Sequence, residues 1–200
     1  MDFWDEKFST TDYVFGEGPN AFLARQADRL RGYGNALAVA DGEGRNGVWL
    51  AEQGLDVLSV DASSVGLAKA DDLAKRRGVT LTTRLVDIGR YDWPAASFDV
   101  VAAIFVQFAP PAMRDAMFAG MMQTLKPGGL LLLEGYTPRQ LDFGTGGPKQ
   151  LDQLYTEELL REKFAALEIV ELAAYEAELE EGSRHIGTSA LIDLVARKRG

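Results

Sequence analysis

Two neighbouring features of this chain have the residue types and spacing to do chemistry: the turn Ala40-Asp41-Gly42-Glu43-Gly44-Arg45-Asn46-Gly47, and Asp61 beyond it. Glycines in such a turn let backbone approach a ligand closely, and the segment that follows opens with N–H groups that have no intrahelical partner. Those N–H groups favour a polar or anionic ligand. Asp61 ends the strand-like run Asp56-Val57-Leu58-Ser59-Val60, where a carboxylate can accept both hydroxyl protons of an adenosine ribose. The order is strand, glycine turn, helix, strand, acid, which reads as a nucleotide-binding unit. Gly42, Gly44 and Gly47 also fit the dinucleotide pattern Gly-x-Gly-x-x-Gly, although an ordinary strand-to-helix turn fits it equally.

Such a site needs elements to position it, and hydrophobic periodicity supplies them. Ala21, Phe22, Ala24, Ala27 and Leu30 recur at helical spacing after Asn20, predicting a helix over 20–31. A strand follows at 36–40, a helix at 45–53, a strand at 56–60, a helix at 64–77 before the Gly78 stop, and a strand at 80–86. The near-continuous apolar run at 97–104 predicts a central strand buried on both faces. A helix over 111–125 ends at Lys126-Pro127-Gly128-Gly129, a turn that launches a strand at 130–134. Residues 135–150 are rich in glycine and proline and read as a long functional loop. A helix at 152–164 and strands at 168–179 and 186–197, turning at Glu181-Gly182-Ser183, complete the chain. Alternating strands and helices predict an α/β, doubly wound, mostly parallel seven-stranded Rossmann-like sheet, with the terminal hairpin adding one antiparallel strand. Ligands of such sheets bind at the carboxyl ends of the strands, where the strand order reverses.

Composition narrows the function. The chain has 200 residues, 46% of them apolar, which suits one domain (arm 1–19, core 20–134, loop 135–150, C-terminal helix and hairpin 151–200) and leaves no room for a separate substrate domain. A net charge of −9 argues against nucleic acid as a partner. Cysteine is absent and there is one histidine, which argues against disulfides, a cysteine nucleophile and a zinc site. With no basic leader ahead of an apolar run and no span of roughly 20 apolar residues, we expect a cytoplasmic protein that does not enter a membrane.

With these residues in view, the chain resembles the class I S-adenosylmethionine-dependent methyltransferases over nearly its whole length. The matched motifs are the turn at 40–47, Asp61, Asp87-Ile88, Phe98-Asp99-Val100-Val101 and Leu125-Lys126-Pro127-Gly128-Gly129. Trp4-Asp5-x-x-Phe8, Tyr13-x-x-Gly16-x-x-Pro19-Asn20 and Gly44-Arg45-Asn46 resemble the small tellurite-resistance and thiopurine methyltransferase branch. The resemblance implies S-adenosylmethionine as cofactor and S-adenosylhomocysteine as product. It implies that the backbone at 40–44, with Ala40, Asp41, Gly42 and Gly44, borders the methionine moiety, that Asn46 also binds the cofactor, and that Asp61 holds the ribose. Ala62 and Ser63 would flank the adenine, Asp87 and Ile88 would bond it, and Ile104 would line the floor. The strand-one acid of the family is Ala38 here, its first glycine is Ala40, and Asp41 stands where a cysteine is common. Asp41 is therefore a candidate substitute for the missing acid, and equally a turn residue that caps the next helix.

Methyl transfer from a sulfonium is an in-line displacement that rests mainly on positioning, so a base is needed only when the acceptor carries a proton. The strand ends offer His185 and Tyr136 as catalytic candidates, with Gln107, Glu134 and Arg184 beside them. Phe105 and Phe108 could form an apolar acceptor pocket, and Trp4, Phe8, Tyr13 and Phe15 either a lid or plain core. The expected partner is a small-molecule methyl acceptor, with the protein a monomer or homodimer. Two other functions fit the same residues: a noncatalytic adenosylmethionine or adenosylhomocysteine binder, and an NAD-dependent oxidoreductase.

Overall fold

A computed structural model describes residues 3–183 and 185–200, so the candidate Arg184 lies outside the described residues. Seven strands form one sheet in the order β3-β2-β1-β4-β5-β7-β6: β1 (Asn35–Val39), β2 (Asp56–Asp61), β3 (Thr82–Leu85), β4 (Phe98–Ile104), β5 (Leu125–Tyr136), β6 (Leu167–Glu181) and β7 (His185–Lys198). β1 to β5 pair in parallel, and β7 runs antiparallel to both β5 and β6. The sheet is as the sequence predicts.

Alternation along each strand builds a core on both faces of the sheet. Leu37 and Val39 of β1 join Val101, Ala103, Leu131 and Leu133 in one cluster, whereas Ala36 and Ala38 join Val100, Ala102, Leu130 and Leu132 in the other. Successive side chains point to opposite faces, so a run that is apolar at every position must be covered on both sides. The cover includes α3 (Arg45–Glu52), α4 (Ser64–Arg77) and α5 (Pro111–Thr124). α4 starts at a Ser63 cap and stops at Gly78, whose N–H returns to the Ala74 carbonyl.

Several elements are shorter or longer than their periodicity suggests. The segment expected as one helix over 20–31 is α2 (Ala21–Arg25) followed by a 3₁₀ turn at Ala27–Leu30, with Gln26 non-helical between them. The helix expected at 152–164 is α7 (Glu157–Lys163), because Thr156 caps it by accepting from the Leu159 N–H and because the Tyr155 N–H is drawn to the Tyr136 carbonyl. The loop at 135–150 contains a short helix, α6 (Gln140–Phe143). Residues before the nucleotide unit form α1 (Phe3–Phe8), which packs on α4.

Two of the resemblance motifs lie at the amino ends of their strands. Lys126 Nζ is 2.9 Å from Asp99 Oδ1, and the other oxygen of Asp99 accepts from the Gly34 and Asn35 N–H groups. These residues brace the start of β1, β4 and β5, which frees the opposite edge for a ligand.

Candidate active site

The strand order reverses between β1 and β4, and there a cavity of ≈480 Å³ opens at their carboxyl ends. Its wall is assembled from the ends of many strands. Ala40, Asp41 and Gly42 follow β1, Asp61 and Ala62 end β2, Asp87 and Ile88 follow β3, and Ile104 and Phe105 end β4. Tyr136 closes β5, His185 opens β7, and Asn46 comes from the first turn of α3. Gly147 and Pro148 of the 135–150 segment complete one side.

The nucleotide half is a set of carboxylates tied to backbone. Asp61 is buried, its Oδ2 accepting from the Gly42 N–H at 2.7 Å and its Oδ1 from the Ser63 N–H at 2.8 Å. Burial raises its pKa although these N–H bonds oppose the shift. Asp41 accepts from the Gly47 N–H and from Ser59 Oγ, so both its oxygens have partners and it caps the first turn of α3. That is the capping role weighed in the sequence. Two residues that were expected to border the cofactor do not reach the cavity wall. Gly44 turns its Cα toward Ala70 of α4, and the Ser63 hydroxyl is spent on Asp5 and the Gly66 N–H. Ala40 sits at φ +48 and Phe105 at φ +56, left-handed conformations unusual for residues with a Cβ. Both strand ends flanking the switch point are therefore strained, as functional backbone often is.

The other half of the cavity is aromatic. The His185 ring lies 4.7 Å from Phe15, 4.6 Å from Phe105 and 5.9 Å from Tyr136, while Phe105 stacks on Tyr136 at 4.6 Å. Phe108 and Trp4 border the same space. Of the arm, Phe8 is buried, and Phe8, Trp4 and Phe15 all line the cavity. The Tyr136 hydroxyl and His185 Nδ1 are sealed from solvent with no hydrogen-bond partner among the described residues, an unusual cost for buried polar atoms.

Of the other strand-end candidates, Gln107 holds the chain in place: its amide donates to the Tyr136 carbonyl and accepts from the Tyr136 N–H at 2.6 Å. Glu134 is buried away from the cavity, bonded to Asn20 Nδ2 at 2.5 Å, and burial with Asp193 and Glu181 nearby raises its pKa well above the carboxylate range. Residue patterns did not single out Arg45 or Glu181 as site residues. They meet at 2.7 Å, 136 residues apart, and no local signal links them.

A methyltransferase-domain family model matches residues 36–129. The curated glycine/sarcosine N-methyltransferase of Halorhodospira halochloris is 31% identical over 142 residues, 67% of this chain and 50% of that protein. The chain belongs to the class I S-adenosylmethionine-dependent methyltransferases. It spans half the length of that curated relative. Among solved structures, the N-methyltransferase NodS from Bradyrhizobium japonicum WM9, in complex with S-adenosylhomocysteine, superposes with a TM-score of 0.75 at 15% identity, covering 98% of this chain and 97% of that one. TehB from Haemophilus influenzae gives 0.74 at 19%, covering 99% and 66%. These two likenesses are of fold. S-adenosylmethionine is the cofactor of the family, and the donor set fits it: a carboxylate at the end of β2, a glycine turn below it, and Asp87 and Ile88 beyond. The family match replaces the oxidoreductase reading of the glycine pattern.

In this family member Asp41 links site geometry to stability. Burial raises its pKa from the ordinary 3.8 to about 7, against the bonds from Ser59 and Gly47. Between those values the folded state keeps a proton that the unfolded chain has released, so stability falls as pH rises through the window and levels off above it. The shift of about three units would cost roughly 4 kcal/mol in a sealed carboxylate, and bordering the cavity reduces that to about 2 kcal/mol. Asp41→Asn is therefore expected to be about 2 kcal/mol more stable than the wild type near pH 8 and nearly equal to it near pH 4, read from urea midpoints.

Proposed function

We propose that the protein transfers the methyl group of S-adenosylmethionine to a small-molecule acceptor. The observation that carries this reading is that one cavity is lined by both the carboxylate-and-glycine half and the aromatic half, which supports a donor and an acceptor bound side by side. The cofactor supplies a methyl group on a sulfonium. This chain's residues supply position: Asp61 for the ribose, Asp87 and Ile88 for the adenine, and the Ala40–Gly42 backbone for the methionine end. Trp4, Phe8 and Phe15 cover the site and exclude water, and their π-faces favour a positively charged sulfonium. Holding nucleophile, methyl carbon and sulfur in line accounts for most of the rate. The N-methyltransferases among the relatives favour an amine as acceptor.

Calorimetric titration with S-adenosylmethionine, S-adenosylhomocysteine and NADH should show roughly micromolar affinity, about −8 kcal/mol, for the two sulfur ligands and none for NADH. A screen of small amines with labelled cofactor should then yield a methylated product. Binding without transfer to any acceptor would favour a noncatalytic binder, the reading that the strained Ala40 in the glycine position supports.

A further inference from the structure

The tip of the β6–β7 hairpin brings a buried Arg45–Glu181 ion pair against the ring of His185, a contact that the methyl transfer alone does not explain. Glu181 Oε2 accepts from Arg45 Nη2 at 2.7 Å and lies 3.8 Å from His185 Nδ1. Its Oε1 accepts from the Ala21 N–H at 3.0 Å and from Asn20 Nδ2 at 3.1 Å. The side chains of Arg45, Glu181 and His185 are 7%, 10% and 10% exposed, so this cluster is withdrawn from water and costly unless its members are matched. Burial pushes Glu181 up, but His185, Arg45 and the Ala21 N–H outweigh it and hold the carboxyl down at about 2. An ionised, immobile carboxylate therefore faces one ring nitrogen of a histidine that borders the cavity.

The two ring nitrogens differ. Nδ1 is sealed on the side of Glu181, without a hydrogen-bond partner among the described residues, whereas Nε2 is not among the sealed polar atoms and belongs to a ring that lines the cavity. At 3.8 Å the Glu181 carboxylate lies beyond hydrogen-bond length from Nδ1, and a small ring rotation closes the gap, as catalytic contacts commonly tighten around a substrate. The groups around the ring are Lys7 of α1, Arg45 of α3, Glu181 of β6 and the Tyr136 ring of β5, with Phe15 tilted against it and Phe105 in a T-shaped contact. Burial lowers the pKa of His185, Glu181 opposes this, and Arg45 and Lys7 add to it, so the imidazole is neutral at neutral pH.

We infer that Glu181 is the positioning residue of a Glu181–His185 pair: it holds the proton on Nδ1, and Nε2 is thereby the base that accepts a proton from an amine acceptor. This role rests on the methyl-transfer reading. In the step, a protonated amine gives one proton to Nε2, its lone pair forms the N–CH₃ bond, and the CH₃–S bond breaks with its electrons passing to sulfur. The products are a methylated ammonium, the neutral thioether and an imidazolium. The Glu181 carboxylate offsets that imidazolium charge until the proton leaves to solvent. A soft anion would need no such base.

The chain has one histidine, so protein labelled with ¹⁵N-histidine and made without a histidine tag shows a single imidazole. Long-range ¹H–¹⁵N correlation spectra above its titration are expected to show the Nδ1–H tautomer. Glu181→Gln keeps an acceptor for Nδ1–H and removes the charge, so the titration midpoint should fall by about one pH unit, a tenfold change in proton affinity. An Nε2–H tautomer in the wild type, or an unmoved midpoint in Glu181→Gln, overturns the pair. The wild-type tautomer decides the matter even if the variant fails to fold. Calorimetry on the same sample separates the two claims: no adenosylmethionine binding overturns the proposed function and the base role with it, whereas binding together with Nε2–H overturns the pair alone.

Discussion

Asp61→Ala is expected to weaken adenosylmethionine binding roughly 100-fold, about 3 kcal/mol, measured by calorimetry against the wild type. Two effects combine in that figure. Hydrogen bonds to a charged acceptor contribute about 1.5–3 kcal/mol each, and a ribose offers two hydroxyls to one carboxylate. The same carboxylate holds the Gly42 and Ser63 N–H groups, so its loss also loosens the turn under the ligand and the entry to α4. Asp61→Asn keeps the shape and one acceptor oxygen, so it should lose only about tenfold. Wild-type affinity in Asp61→Ala would show that the residue only staples Gly42 to Ser63.

A large loss of stability is expected at Gly44. It has φ +85, and a Cβ placed there would overlap the Ala70 methyl and come within 2.7 Å of the Ala70 Cα. Ala70 is fully buried in α4, so neither helix can move aside without disturbing core. A left-handed alanine costs about 1–2 kcal/mol and overpacking typically 1–3 kcal/mol, so Gly44→Ala should lose roughly 3 kcal/mol by urea unfolding. Gly54 provides the control. Its φ is +90 but a Cβ there meets nothing within 4 Å, so Gly54→Ala should lose only the backbone part, about 1 kcal/mol. Equal losses at the two positions would mean that helix contact plays no part in the requirement for glycine.

The contrast between Gly44 and Asp61 shows how the sequence and the folded structure divide the information. Asp61 was legible because a carboxylate ending an apolar strand has few local reasons to be there, and β2 places it on the cavity wall. Gly44 was legible as a glycine, but its partner was not: the sequence suggested a ligand beside it, and the structure puts Ala70 there. Ser63 likewise follows Asp61 in the chain, yet a 2.7 Å bond from its hydroxyl to Asp5 turns it into the fastening between α1 and α4.

The sequence by itself determined the strands, the two-faced core, the glycine turn and the acid that follows it. All of these depend on neighbours within a few residues: alternation along a strand, a left-handed turn, a cap. Only the tertiary structure decided that Glu134 belongs to a buried carboxylate cluster, that Gln107 clamps Tyr136, and that Arg45 and Glu181 meet beside His185. Each of those arrangements depends on which polar and charged groups lose water together. Burial and long-range register set that, and neither is written in the spacing of nearby residues.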